Sequence, residues 1–253
     1  MLRLLVRRPS PSIEDGELTH LERAPVDGQL ALSQWEAYVE AFCSRGWEVI
    51  EIERADAHPD GVFVEDTMVV FDGLVVVCRS GSLARRGEVE TCRPVAQQLG
   101  FEAAEIVEPG TLDGGDVLKI GQTAYVGASS RTNDAGISQL RDLVERRGWR
   151  VVEVPVRKVL HLKSALTALP DGTVIGFRPK VDDPDAFPTF LDVPEIHGSA
   201  VVMLDDSTIL MSTDAPATAE LLRARGLEVI TVSITEFEKL EGCVTCLSVR
   251  VRD

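Results

Sequence analysis

A hairpin, a helix and a further strand recur along this chain with a nearly constant period, and that repeat constrains its fold more than any other feature. The segment TMVVFDGLVVVCR (67–79) reads as two short apolar strands joined at Asp72-Gly73, a dipeptide favoured in type I′ hairpin turns. DVLKIGQTAYVGAS (116–129), LKSALTALPDGTVIGF (162–177) and AVVMLDDSTILMS (200–212) repeat the pattern about Gly121-Gln122, Asp171-Gly172 and Asp205-Asp206. Three hairpins lead into a helix that stops at glycine: 88–99 before Gly100, 132–147 with Thr132 as N-cap before Gly148, and 215–225 before Gly226. Each glycine then introduces an apolar strand (FEAAEIVE, WRVVEVPV, LEVITV), as a left-handed C-cap allows. A fifth unit is assembled from the two ends. TCLSVRV (245–251) pairs with LRLLV (2–6), followed by a helix over 33–45, Gly46 and WEVIEI (47–52).

The turns at 72, 121 and 171 lie 49 and 50 residues apart, a period found in propellers and arrays. Five strand–strand–helix–strand units, the first split between the termini, predict an α/β fold closed on itself, because pairing the end strands removes a free edge. Short hairpins between helices argue against plain βαβ alternation. One domain spanning 1–253 is expected. The segments 8–30 and 178–198 carry Pro, Gly and acid without regular pattern, the profile of lid or binding loops.

A net charge of −15 argues against partners that need clustered Lys and Arg, nucleic acid and anionic membrane surfaces among them. It suits a small cationic ligand. No run approaches the roughly 18 apolar residues of a membrane span, and the arginine-rich MLRLLVRRPSPS does not resemble a secretory leader. The five cysteines, an odd number, then read as reduced thiols of a cytoplasmic protein.

The chemically distinctive residues share one phase of the repeat, just ahead of each unit's first strand: VEDT (64–67), TLDGGD (111–116), LHLKS (160–164), EIHGS (195–199) and CVTC (243–246). Asp66, Asp113 and His161 are separated by 47 and 48 residues, and Cys246 follows 85 later, close to two periods. Taken singly, each has an ordinary structural use as a turn acid, a turn-shaping aspartate or a core histidine. Equivalent positions in a closed ring converge on its axis, however, and there the set supplies nucleophile, base and orienting acid, with further acid for a cation. Gly114-Gly115 is expected to supply positive φ beside Asp113. His20, His58 and His197 are assigned no role.

Cys243 and Cys246 form a Cys-x-x-Cys. Redox motifs of this kind open a helix, whereas LSVRVR alternates with period two. In an extended strand, residues three apart face opposite sides and lie roughly 10 Å apart, beyond disulfide reach. No second pair completes a structural zinc site. The expectation is one working thiol, Cys246, on a face with Ser248 and Arg250 and opposite Leu247, Val249 and Val251. Cys243 is then a bystander, and Cys43 and Cys78 read as core.

Taken in order, DGVFVEDTMVV, SLARRGEVE, TLDGGDVL, GASSRTNDAG, LHLKS and GCVTCLSV resemble the dimethylarginine dimethylaminohydrolase family of the pentein, or guanidine-modifying, superfamily. The resemblance covers about residues 60–250. It implies a five-bladed α/β propeller with the active site on its axis. It also implies hydrolysis of Nω-methylated arginines to citrulline and methylamine or dimethylamine, without metal or organic cofactor, by a monomer or homodimer. By motif it implies Cys246 as nucleophile and His161 as general acid/base oriented by Asp113. Asp66, with Glu65 adjacent, would hold the guanidinium, Asp60 the α-amino group, and Arg85 and Arg131 the α-carboxylate. Leu240 matches a position where the family uses a backbone oxygen, and the loop from Pro9 would be the lid.

The residue types suit that chemistry. A guanidinium carbon is a poor electrophile, so carboxylates must fix the cation while a thiolate attacks, and the cation in turn favours the thiolate. Two other readings fit part of the pattern. One is a related arginine or agmatine deiminase-like hydrolase, whose chains are longer in that superfamily. The other is a non-catalytic guanidino-ligand binder with zinc at Cys246 and His161.

Overall fold

The computed structural model describes residues 1–252. Its strands are β1 (Leu2–Val6), β2 (Glu48–Glu51), β3 (Met68–Phe71), β4 (Leu74–Val77), β5 (Glu102–Glu105), β6 (Val117–Ile120), β7 (Thr123–Ala128), β8 (Arg150–Pro155), β9 (Leu166–Ala168), β10 (Val174–Gly176), β11 (Phe190–Asp192), β12 (Val201–Met203), β13 (Thr208–Ser212), β14 (Glu228–Val232) and β15 (Val249–Arg252). They form five three-stranded sheets, β15-β1-β2, β3-β4-β5, β6-β7-β8, β9-β10-β11 and β12-β13-β14. In every sheet the first two strands are antiparallel and the third is parallel to the second. The split unit is real: β1 pairs with β15 in the register Leu2↔Arg252 to Leu5↔Val249.

Side-chain alternation turns these sheets into a ring. Leu4 and Val6 pack with Val202, Leu210 and Val232 of the last sheet, whereas Leu5 packs with Val70, Val75 and Val77 of the next. Val69, Phe71, Leu74 and Val76 face the other way, onto Val117, Ala124 and Val126. Leu118 and Tyr125 then meet Leu166 and Val174, and Leu169 and Ile175 meet Val201 and Ile209. Five apolar clusters thus each join neighbouring sheets, and the fifth closes the circle. This is why MVVF and LVVV are apolar at every position: both faces of a period-two strand are covered. The architecture is the five-bladed α/β propeller of the pentein fold.

Helix positions follow local chemistry more closely than the repeat suggests. The first helix begins at Gly28, ahead of the expected 33, because Asp27 caps it by accepting from Gln29 N and Leu30 N. The α-helix expected over 88–99 forms only over Arg93–Gln98, with Pro94 in its first turn, where a missing N–H costs nothing. Asn133, not Thr132, caps Asp134–Val144. The four glycines expected to end helices all adopt positive φ, between 78° and 91°. At 72–73 only Gly73 has positive φ, so that hairpin lacks type I′ geometry. Cys43 is exposed rather than core, while Cys78 is buried as expected. Among the described residues no helix is long and apolar enough to cross a membrane.

Candidate active site

Short turns ahead of four of the first strands carry the distinctive residues toward the axis. Glu65 and Asp66 sit in a 3-10 turn, Val64–Thr67; Asp113 and His161 directly precede Gly114–Asp116 and Leu162–Ala165. Asp60, Asp66, Arg85, Arg131, His161, Leu240 and Cys246 line one small cavity. Asp113 stands behind it, fully buried, and reaches it through His161.

His161 lies between two carboxylates. Its Nε2 is 3.2 Å from Asp113 Oδ2 and its Nδ1 is 3.6 Å from Asp66 Oδ1. Burial works against a charged imidazole here, but Asp66 and Asp116, with the Asp113 hydrogen bond, outweigh it and lift His161 to about 9. Burial likewise opposes charge on Asp66, yet His161 and Arg85 hold that carboxyl down at about 2. The site therefore rests as an imidazolium beside ionised acid. The backbone makes this contact possible at Gly115, whose N–H donates to Asp66 Oδ1 at 2.9 Å. A Cβ there would fall 2.6 Å from His161 Nδ1 and 2.7 Å from Asp66 Oδ1. Neither Gly114 nor Gly115 has positive φ. Close approach, rather than the expected left-handed turn, is what requires glycine at 115.

The charged residues divide by whether their partners are already satisfied. Arg85 is committed to Glu88 through two bonds of 2.8 and 2.9 Å and to Asp66 at 2.9 Å, so most of its fork braces the acids. Glu65 points away from the cavity, to Lys163 Nζ at 2.7 Å and Arg250 Nη2 at 2.6 Å. Burial raises its pKa, but those two cations more than offset this and hold it below the usual range. Its Oε2 is buried with no hydrogen-bond partner, as is Arg131 Nη1. Asp60, which burial pushes up, accepts from Glu17 N at 3.0 Å. The Glu17 carboxylate lies 3.2 Å from Arg131 Nη2 but without hydrogen-bond alignment.

Glu17 belongs to the 8–30 segment, which closes over the site. Its clasp is Glu241, whose carboxylate accepts from the backbone N–H groups of Thr19, His20 and Leu21. Glu241 is the one non-glycine residue with positive φ, 61°, among the described residues, a strained conformation of the kind found at functional sites. Closed in this way, the cavity holds about 10 Å³, room for roughly one water. An amino-acid ligand must displace this loop.

The two sulfurs do not lie on opposite faces of a strand. β15 starts only at Val249, and residues 244–247 form a turn in which Cys246 N donates to Cys243 O at 3.1 Å. The turn brings Cys243 Sγ and Cys246 Sγ to 3.4 Å, where an extended chain would hold them roughly 10 Å apart. Their mutual hydrogen bond lowers the Cys243 thiol. The same bond, with burial and the nearby Glu65 and Asp66 charges, keeps the Cys246 thiol well above its ordinary value.

Asp66, Asp113 and His161 offer three ligand atoms within 4.8 Å of one another. The two imidazole nitrogens nevertheless face different carboxylates, an arrangement for an imidazolium rather than for atoms converging on an ion. Glu17, Glu88, Asp116 and Glu241 were not legible as site residues. Asp116 accepts from Ser129 Oγ, Thr132 Oγ1 and Leu162 N at 2.6, 2.7 and 2.9 Å, tying the turn after Asp113 to the turn after His161. Only Glu88 left a trace in sequence, as an acid three residues after an arginine.

The family model for N,N dimethylarginine dimethylhydrolase, eukaryotic, matches residues 21–174. The N(G),N(G)-dimethylarginine dimethylaminohydrolase of Streptomyces coelicolor is 57% identical over 99% of this chain and 97% of its own length. The protein of that name from Pseudomonas aeruginosa is 31% identical, covering 98% of each. Among solved structures, a histidine-to-glycine dimethylarginine dimethylaminohydrolase holding S-methyl-L-thiocitrulline as an adduct superposes with a TM-score of 0.92 at 29% identity, covering 98% of this chain and 99% of that one. The P. aeruginosa protein, as a cysteine-to-serine variant with citrulline, gives 0.91 at 28% identity and 98% of each chain.

Proposed function

The chain belongs to the dimethylarginine dimethylaminohydrolase family, and from that membership we propose that it hydrolyses Nω-methylated L-arginines at Cys246, releasing methylamine or dimethylamine and leaving L-citrulline. The whole of 1–253 is one catalytic domain in this reading. One observation carries it: a thiol, an imidazolium and buried carboxylates converge on a cavity that also bears Asp60 and an unpartnered nitrogen of Arg131.

Asp66 holds the substrate guanidinium, with Glu65 behind it paired to Lys163 and Arg250, while Asp60 and Arg131 take its amino and carboxylate groups once Glu17 withdraws. Arg85 supports the acids and has little left for the carboxylate. Without ligand, the Cys243 hydrogen bond and burial, with the surrounding acids, disfavour the Cys246 thiolate. A bound cation reverses that balance, because opposite charge nearby favours ionisation; the thiol proton leaves to solvent, since His161 already carries its own. The thiolate attacks the guanidinium carbon, and the tetrahedral adduct collapses as His161 passes its proton to the departing amine. That leaves a thiouronium on Cys246 and a neutral imidazole, which Asp113 keeps oriented. The imidazole deprotonates a water, hydroxide adds to the same carbon, and the carbon–sulfur bond breaks to give citrulline and the free thiol.

Supplying asymmetric dimethylarginine, monomethylarginine, arginine and agmatine in parallel tests this. Citrulline is expected from the two methylated substrates and is expected to vanish in Cys246→Ser. Turnover of agmatine without methylarginine would sink the substrate assignment, and turnover of none would favour a binding protein.

A further inference from the structure

We propose that Cys243 and Cys246 form a reversible disulfide that disables the site, with Cys243 as the thiol that reacts with peroxide and Cys246 as the thiol that closes the bond. The consequence for activity rests on Cys246 being the nucleophile; formation of the bond does not.

Two geometric facts carry this. The sulfurs are already 3.4 Å apart on a hydrogen-bonded four-residue turn. Such a turn places its end Cα atoms within about 7 Å, overlapping the roughly 4.4–6.8 Å that disulfides span. Side-chain rotation alone must then bring the sulfurs to bonding distance. The second fact is access. Cys246 lines the small closed cavity, whereas Cys243 is half-buried and lines a separate cavity of about 480 Å³ with Lys158, Lys180, Ile196 and Ile234. Leu160, Glu241 and Gly242 border both. A small oxidant can thus meet Cys243 while the 8–30 loop stays shut over Cys246. Cys78 and Cys92 are buried elsewhere and Cys43 is exposed on a helix.

The shared proton of the pair supports the order of events. The hydrogen bond that lowers Cys243 makes it the readier thiolate. Its sulfur attacks one oxygen of hydrogen peroxide, the O–O bond breaks, and hydroxide leaves as water after taking up the thiol proton. Cys243 is then a sulfenic acid. Cys246 attacks that sulfur; the S–S bond forms, the S–O bond breaks and a second water departs. Two thiols have lost two electrons in total, and one peroxide has become two waters. A dithiol reductant reverses the state by exchange, attacking Cys243 from the outer cavity and releasing the Cys246 thiol.

The experiment treats the full chain with hydrogen peroxide, alkylates remaining thiols, and follows intact mass, peptide mass and citrulline formation before and after dithiothreitol. The expected product has lost two hydrogens, blocks alkylation at both Cys243 and Cys246, and regains its full rate on reduction. In Cys243→Ala and Cys243→Ser, untreated activity is expected to persist, but peroxide should add oxygen to Cys246, and reduction should restore less than about a tenth of the rate. Oxygen adducts on Cys246 of the wild-type chain, with no two-hydrogen loss, would overturn the proposal. So would recovery of either variant as complete as wild type. Because the wild-type mass needs no turnover, a chain that forms the bond but makes no citrulline would count against the function and not against the disulfide.

Discussion

Replacing Gly115 by alanine tests the claim that the His161–Asp66 contact depends on a missing side chain. The added Cβ would lie 2.6 Å from His161 Nδ1, 2.7 Å from Asp66 Oδ1 and 3.0 Å from His161 Cγ, where ordinary contact begins near 3.4 Å. The imidazole must therefore retreat by about 0.8 Å. It has little freedom to do so, being 2% exposed and tethered to Asp113. Asp66 is held equally by Arg85. A displacement of about 1 Å at a reacting group costs on the order of 10²-fold in rate, so kcat is expected to fall by roughly 30- to 100-fold with KM within about threefold. Overpacking should also remove about 1–3 kcal/mol of stability. Steady-state citrulline formation and denaturant unfolding measure the two effects separately. Gly46→Ala serves as the control. It has positive φ of 78° but open space around it, so it should lose about 1 kcal/mol and keep its kcat. A Gly115→Ala enzyme with kcat within about threefold of wild type and unchanged stability would refute the close-approach argument.

Three further outcomes follow from the charges and the loop. His161 sits at about 9 against an ordinary 6.5, so its share of stability is whole below 6.5 and lost as pH rises through 9. Asp66, at about 2 against 3.8, contributes above 3.8 and loses its share as pH falls through 2. Thermal unfolding across pH should show His161→Gln flattening the alkaline decline, and parallel curves would contradict the assignment. Glu88→Gln strips the charge from a buried bidentate pair and should cost about 3 kcal/mol in urea unfolding; a loss below about 1 kcal/mol would mean Arg85 is satisfied by Asp66 alone. Glu241→Gly removes the strain of a positive φ, worth about 1 kcal/mol, together with the clasp on Thr19, His20 and Leu21. Proteolysis within 8–30 should then quicken while the global unfolding midpoint holds or rises, and unchanged cleavage would show that the clasp does not set loop opening.

The ring was legible because its cause is periodic. A strand apolar at every position, as in LVVV, requires neighbours on both faces, and five such units with paired ends have few ways to supply them. The shared phase of Asp66, Asp113 and His161 was legible for the same reason, since equivalent turns reach the same axis. Glu17 and Glu241 were invisible because their roles depend on a loop without period meeting the other end of the chain. At Arg85 a motif names the residue but not its partners, and Glu88 and Asp66 engage a fork that looks free in sequence.

The Cys-x-x-Cys shows most sharply where periodicity stops being evidence. Alternation in TCLSVRV implies a strand only if one side of it is polar because water lies there. At the axis no side is wet: Val244, Thr245, Cys246, Leu247 and Ser248 are all at most 6% exposed. Polar side chains there answer to partners instead, as Ser248 does to Tyr38 Oη at 2.7 Å and Arg250 to Glu65. The alternating letters are therefore compatible with a turn, and a turn reverses the conclusion drawn from them, since it brings together the two thiols that a strand would hold apart. In this ring the thiol at the axis, Cys246, is delivered by such a turn. The cysteine three residues ahead of it, Cys243, is thereby brought to 3.4 Å, whatever the period of the strand that follows.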